Sequence, residues 1–184
     1  MSRRIIIGID PGTNLLGFGV IDVSDGKPRY VDMGVLDLRK EKDAYSKLRQ
    51  IFDTVTEVCR SYHGTEIALE SPFYGKNAQV ILKLGRAQGA AMIAAMEYGI
   101  EEVREYSPRE AKQAITGNGA SAKEQVRMML EKTLGVTLSA EHLDATDALA
   151  IAMCHYYSTS NPLSALKGKN SWERFVRENP DRVK

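Results

Sequence analysis

Cysteine is nearly missing from this chain: in 184 residues only Cys59 and Cys154 occur, each inside an apolar-periodic segment. That excludes a disulfide framework, and both read as buried core thiols of a protein in a reducing compartment. A His/Cys spacing of the zinc-binding type is also absent. Charge of one sign is not in excess, because 25 Lys and Arg stand against 24 Asp and Glu for a net charge of +1. A globally basic nucleic-acid binder is therefore excluded, and any such contact has to come from a local patch. No stretch of ~20 apolar residues is available to span a membrane. Arg3 and Arg4 lead straight into an apolar strand pattern without a signal-peptide core, so a cytoplasmic protein is expected. Internal repeats and low-complexity tracts are likewise lacking.

What is present is 43% hydrophobic residues, enough for one ordinary domain core with a tail. Residues 4–10, 16–23 and 28–37 carry strand patterns, and Asp25-Gly26 between the last two is a hairpin turn signal. Residues 43–62 space Tyr45, Leu48, Ile51, Phe52, Val55, Val58, Cys59 and Tyr62 as an amphipathic helix. A short strand at 66–70 follows, then a helix at 77–97 crowded with Gly85, Ala87, Gly89, Ala90, Ala91, Ala94 and Ala95. Such small residues imply close packing against a sheet or another helix. Residues 102–106 read as a last strand, Ser107-Pro108-Arg109-Glu110 as a capping box, and Ser121-Ala122-Lys123-Glu124 as a second one. The last helix is expected from Ser139 to about Tyr157. Three antiparallel-type strands followed by alternating helix and strand predict an α/β fold, a mixed five-stranded sheet flanked by α-helices.

The chemistry lies in carboxylates placed where a fold normally excludes them. Asp10 closes a buried, β-branched strand in Gly8-Ile9-Asp10-Pro11-Gly12-Thr13. A charge there is costly unless it is paired or holds a metal. Pro11 and Gly12 bend the chain, and Gly12 is read as allowing a ligand close to the backbone. Glu70 ends another strand. If the two strands are parallel neighbours, both acids meet at one sheet edge, where open α/β sheets bind ligands. Asp144 and Asp147 share a helix face. Near a helix start Asp144 also has the plain role of complementing the helix dipole, whereas Asp147 lies deeper among Ala and Leu. Four oxygen donors without His or Cys suit Mg²⁺, with Mn²⁺ as a substitute, and a metal pair would relieve their repulsion.

These motifs, with Ala68-Leu69-Glu70, Lys76-Asn77-Ala78, Leu84-Gly85-Arg86-Ala87-Gln88-Gly89 and Asp144-Ala145-Thr146-Asp147-Ala148-Leu149-Ala150, resemble the bacterial RuvC family of Holliday junction resolvases. The resemblance runs in order over about 4–157. It implies an RNase H-like fold, a homodimer, and Mg²⁺-dependent paired nicking of four-way DNA junctions in recombination and repair. It further implies work alongside the RuvA and RuvB branch-migration proteins. By the same resemblance Asp10, Glu70, Asp144 and Asp147 match the metal-binding acids, and Lys112 and Lys123 match two basic positions needed for catalysis. Phe73 matches an aromatic of a junction-contacting loop.

A basic track can be read from the residues themselves. Lys76, Lys83 and Arg86 come with no acid between positions 75 and 96, and Arg104, Arg109, Lys112, Lys123 and Arg127 follow. Residues 1–157 are expected to form the nuclease domain and 158–184 a basic extension. That extension opens on the linker-like Ser158-Thr159-Ser160-Asn161-Pro162 and carries six Lys/Arg against three acids. The helix at 77–97 is the candidate for part of the dimer contact. Three other readings stand beside this one: an RNase H-like nuclease for RNA or simpler branches, an actin-like ATPase or kinase suggested by Gly8–Thr13, and a junction-binding protein without activity. His142 has no assigned role.

Overall fold

The computed structural model describes residues 3–72, 77–139 and 143–160. Phe73, Tyr74, Lys76, His142 and the stretch from 161 onward lie outside them. Ten elements follow in chain order: β1 (Arg4–Asp10), β2 (Leu15–Ser24), β3 (Lys27–Asp37), α1 (Ala44–Tyr62), β4 (Glu66–Glu70), α2 (Ala78–Tyr98), β5 (Val103–Tyr106), α3 (Pro108–Thr116), α4 (Lys123–Leu134) and α5 (Leu143–Ser160). The five strands form one sheet in the order β3-β2-β1-β4-β5. β3, β2 and β1 run antiparallel, and β1, β4 and β5 run parallel. This is the mixed sheet that the pattern predicts. Asp25 and Gly26 turn the β2–β3 hairpin with φ of 56° and 73°, the conformation that suits a two-residue loop between twisted strands.

Strand periodicity divides the core in two. Ile5, Ile7, Ile9, Ile67 and Leu69 face α1 and α2, where Ile51, Val55, Cys59, Ala87, Ala91 and Ala94 meet them. Ile6 and Ala68 face the other way, onto α3, α4 and α5. Because side chains alternate along a strand, Arg4, Gly8 and Asp10 share the face of Ile6, and Glu66 and Glu70 share the face of Ala68. Both cysteines are buried and free, as expected, and burial pushes the Cys59 thiol up to about 11 and the Cys154 thiol up to about 12.

α5 lies on that second face at backbone contact. A Cβ on Gly8 would stand 2.1 Å from the carbonyl oxygen of Ala148, and one on Gly17 2.1 Å from that of Asp144. No side chain fits there. The helix supplies Ala145, Ala148 and Ala152, all buried, as the matching small residues. Its far end is tied by charge. The Arg4 guanidinium donates to Glu66 at 2.5 and 2.8 Å and to Thr159 Oγ1 at 2.7 Å. His155, buried in α5, bonds Glu66 at 2.9 Å and the Tyr106 hydroxyl at 2.9 Å. Burial pushes the Glu66 carboxyl up, but the bonds from Arg4 and His155 outweigh it and hold it at about 2.

Four local expectations need correction. Gly12 does not make room for a ligand: a Cβ there would meet the Leu15 carbonyl oxygen at 1.9 Å, so the glycine serves the chain's own turn. The second capping box is displaced by one residue. The Ser121 hydroxyl turns inward to Thr116 Oγ1 at 2.8 Å, and α4 is capped instead by Gln125 Oε1, which accepts from the Ala122 N–H at 3.1 Å. Ser139 is not helical and α5 begins at Leu143. Leu138 is buried and its N–H donates to Glu131 at 2.9 Å, which keeps this segment extended along α4. At the other end α5 runs on to Ser160, so Ser158, Thr159 and Ser160 are helical rather than linker. No helix among the described residues is long and apolar enough to cross a membrane.

Replacing Gly8 by Val should cost about 3 kcal/mol or more, because backbone atoms of α5 cannot yield as a side chain would. Urea denaturation measures it, and a loss under about 1 kcal/mol would show that α5 can slide off the strand pair.

Candidate active site

The end of the sheet opposite the Arg4–Glu66–His155 cluster collects acids. β1 and β4 pair in parallel register with Ile9 opposite Leu69, so Asp10 and Glu70 leave adjacent strands at the same edge. α5 delivers Asp144 and Asp147 to that edge from above. Oxygen atoms of Asp10, Asp144 and Asp147 all lie within 4.8 Å of one another, and the three residues are half-buried. Glu70 stands outside that mutual cluster but near enough for its charge to act on it. Its backbone is held from below, since Gln88 of α2, buried, donates to the Glu70 carbonyl at 3.4 Å and to Glu105 at 2.9 Å.

The electrostatics are unfavourable without a cation. Two carboxylates about 4.8 Å apart repel by roughly 3 kcal/mol at an effective dielectric of about 20. Burial pushes the Asp10 carboxyl up to about 7, and the Asp147 and Asp144 charges add to the effect while Lys123 opposes it. Burial likewise pushes Glu70 up to about 8, reinforced by Asp10 and Asp147 and opposed by Lys123 and Lys112. Among the described residues one ion pair engages these acids, between Lys123 Nζ and Asp147 Oδ2. A single lysine cannot balance four acids. Among the described residues only hard oxygen donors converge here, and such a set fits a small divalent cation such as Mg²⁺ or Mn²⁺.

Lys112 and Lys123 approach from α3 and α4. Lys112 lines a cleft of about 740 Å³ together with Ser71, Arg109, Gln113, Asn118 and Gly119. Gln113 fixes the rim of this cleft, donating to the Gly117 carbonyl at 2.6 Å and accepting from the Gly119 N–H at 3.0 Å. Lys83 and Arg86 are placed differently. They lie on α2, across the sheet from α3–α5, in a groove of about 540 Å³ that also contains Lys42, Tyr45 and Lys47. Sequence reasoning missed these three. Lys42 sits in Arg39-Lys40-Glu41-Lys42-Asp43, whose alternating signs hide any basic excess. Phe73 and Lys76 lie outside the described residues.

The comparisons with known proteins bear on this geometry. The family model described as crossover junction endodeoxyribonuclease RuvC matches residues 6–155. This chain belongs to the RuvC family. A RuvC relative from Christiangramia forsetii is 47% identical over 183 residues, covering all of this chain and 94% of its own. One from Bacteroides fragilis is 46% identical over 186 residues, covering all of this chain and 98% of its own. Among solved structures, RuvC of Thermus thermophilus in complex with a Holliday junction substrate superposes with a TM-score of 0.74 at 31% identity, over 85% of this chain and 94% of that one. With these neighbours the sheet is the RNase H-like fold that the motifs imply. As a RuvC family member the chain is a crossover junction endodeoxyribonuclease, and three of its four expected acids form a cluster able to hold metal.

The raised carboxyls carry a pH dependence. Asp10 and Glu70 bind protons more tightly folded than unfolded, so their contribution is whole below about pH 4. It is lost as pH rises through about 7 and 8. In EDTA the melting temperature should therefore fall between pH 5 and 8. Asp10→Asn should recover about 1–3 kcal/mol at pH 8. A melting temperature flat across that range would mean that these acids are solvated.

Proposed function

We propose that this chain resolves Holliday junctions by metal-dependent phosphodiester hydrolysis, cutting two strands symmetrically. The observation that carries the reading is the convergence of Asp10, Asp144 and Asp147 beside Glu70, in a chain of the RuvC family. The four carboxylates are assigned to two Mg²⁺ ions, with Mn²⁺ as a substitute. Such ions, when bound, supply Lewis acidity at the phosphate and lower the pKa of an attacking water.

The chain's own residues do the rest. Lys123, already paired to Asp147, and Lys112, beside Glu70, offset charge that builds on the phosphate oxygens in the transition state. Water attacks phosphorus in line and the bond to the 3′ oxygen breaks. This leaves a 5′-phosphate and a 3′-hydroxyl, ends that a ligase can rejoin. Phe73, Lys76, Lys83 and Arg86 are assigned to DNA contact. The nuclease domain is taken as 1–157, with the basic stretch that follows as an added DNA or partner contact. Recombination and repair in the cytoplasm, in concert with RuvA and RuvB, complete the reading.

A four-way junction has two-fold symmetry, so paired nicks call for a C₂ dimer. α2 supports one. Its Ala87, Ala91 and Ala94 face the core, while Leu82, Ile93 and Met96 are exposed on the opposite side. Between them Gly85 and Gly89 meet no atom within 4 Å of where a Cβ would be. An exposed apolar stripe with gaps of this kind suits a second copy of the same helix. Ile93→Lys should shift the protein from dimer to monomer in analytical ultracentrifugation and abolish coordinated second-strand cutting. A dimer that survives the change would move the interface elsewhere.

The direct test uses a mobile four-way junction labelled on each strand in turn, with Mg²⁺ or EDTA. Paired symmetric nicks are expected with Mg²⁺ only, with linear duplex spared. Asp10→Asn should lower the rate by at least ~10³-fold. Equal cutting of linear duplex, RNA and junction would favour a general RNase H-like nuclease. Tight binding without cutting would favour a junction-binding protein.

A further inference from the structure

The groove between α1 and α2 lies on the face of the sheet away from Lys112 and Lys123, and the metal-binding acids do not need it. It is lined by Thr13 and Asn14 from the β1–β2 turn, by Lys42 just before α1, by Tyr45 and Lys47 from its first turn, and by Lys83 and Arg86 from α2. No acid lines it. The two nearest in sequence are turned to other work. Asp43 caps α1, accepting from the Ser46 N–H at 2.6 Å, and Glu41 accepts from the Asp43 N–H at 3.1 Å and from Gln50 at 3.3 Å.

The contrast with the rest of the surface is chemical. Four exposed arginines elsewhere carry their own carboxylate: Arg39 with Asp37, Arg49 with Asp53, Arg60 with Glu57 and Arg104 with Glu102, while Arg29 and Arg109 are exposed without such an ion pair among the described residues. Lys42, Lys47, Lys83 and Arg86 have none among the described residues. Four cations, three from α1 and α2 and one from the residue before the α1 cap, left unmatched around one groove, repel one another unless an anion is brought to them. Tyr45 stands at the same place, 79% exposed, with its ring and hydroxyl unused by the fold.

The groove is also coupled to the acids. Lys47 Nζ donates to the Thr13 carbonyl at 2.9 Å, and the Gly12 N–H donates back to the Asp10 carbonyl at 3.1 Å. One short, tied turn thus joins the groove to Asp10. An anion seated in the groove and a phosphate brought to the acids would thus sit on either side of one short turn, which points to a polyanion rather than a lone phosphate.

We propose that this groove seats the sugar–phosphate backbone of a junction arm, with Lys42 and Tyr45 as substrate contacts. The inference rests on the nuclease reading above and deepens it. Lys112 and Lys123 hold the DNA from one side of the sheet edge, and the groove holds its continuation on the other. Lys42 contributes by neutralising a phosphate and releasing its counterion. Tyr45 contributes as a neutral group, by hydrogen bond or ring contact to the backbone.

The test is fluorescence anisotropy of a labelled four-way junction in EDTA, from about 50 to 200 mM NaCl, with cutting of the same junction by the parent protein in Mg²⁺ as reference. Lys42→Gln should weaken binding by roughly threefold to tenfold and make the salt slope shallower by about 0.9. Tyr45→Ala should weaken binding at every salt concentration without changing the slope. Lys27→Gln, at the hairpin end of the sheet opposite Asp10, should leave affinity and slope unchanged. Parent-like binding by Lys42→Gln and Tyr45→Ala overturns the proposal, as does an equal loss in Lys27→Gln. In either case a parent protein that still cuts the junction leaves the nuclease reading intact. A parent that neither binds nor cuts it removes that reading and this inference together.

Discussion

The contact of α5 with the β1–β2 pair at Gly8 and Gly17 is the constraint on which the site depends. Asp144 and Asp147 come from a helix, while Asp10 comes from a strand end. Carboxylate oxygens from such different elements meet within 4.8 Å only if helix and sheet approach more closely than side chains normally allow. Packing a helix on an ordinary sheet leaves about 10 Å between layers to be filled by side chains. Here the filling is removed on both sides, by glycine on the strands and by alanine on the helix. The Asp144 carbonyl itself occupies the space that a Gly17 Cβ would take. The motif glycines and the motif acids are parts of one device, the first making room for the second.

α5 is held differently along its length. In the middle the contact is apolar and close. At the His155 end, Glu66 accepts from Arg4 and His155 and sits in a satisfied network, so its charge is stable there. At the Asp147 end the acids outnumber their one lysine partner, and burial pushes two of them toward neutrality. The same sheet face therefore presents a matched set of charges at one end and an unmatched set at the other. The folding energy of the matched end and the close apolar contact hold the unmatched end together. Unmatched acids in that position are what a divalent cation relieves.

Much of this was legible in the sequence, because the determining signals are local. The continuous β-branched apolar run from Arg4 to Ile9 placed Asp10 on a buried strand end, and the Asp25-Gly26 turn signal placed the hairpin. The spacing of Asp144 and Asp147 placed both acids on one helix face. What escaped were features set by partners distant in the chain. Ser121 looks like an N-cap in isolation, but Thr116 takes its hydroxyl inward. Ser139 looks like a helix start, but Leu138 is held down by the core and by Glu131. Gly12 looks like a ligand cradle, but Leu15 needs the space. The α1–α2 groove was only half visible for a related reason: Lys83 and Arg86 stand out in an acid-free stretch, but Lys42 and Lys47 lie some forty residues earlier and are diluted by acids that the fold turns away.

That last point bears on how a protein with a net charge of +1 can handle a polyanion. Net charge averages over a surface on which most arginines are already spent on neighbouring carboxylates and present no lasting field beyond a Debye length. Among the described residues the groove cations and Lys112 form no such ion pair, and they lie on both faces of the sheet around the one edge where Asp10 and Glu70 emerge. A substrate phosphate drawn to either face is led toward an acidic centre that would repel it in the absence of metal. On the proposed function, metal and nucleic acid would be mutually dependent ligands of this edge. A cation would make the centre tolerable to a phosphate, and the lysines and arginines around it would bring that phosphate near enough to meet it.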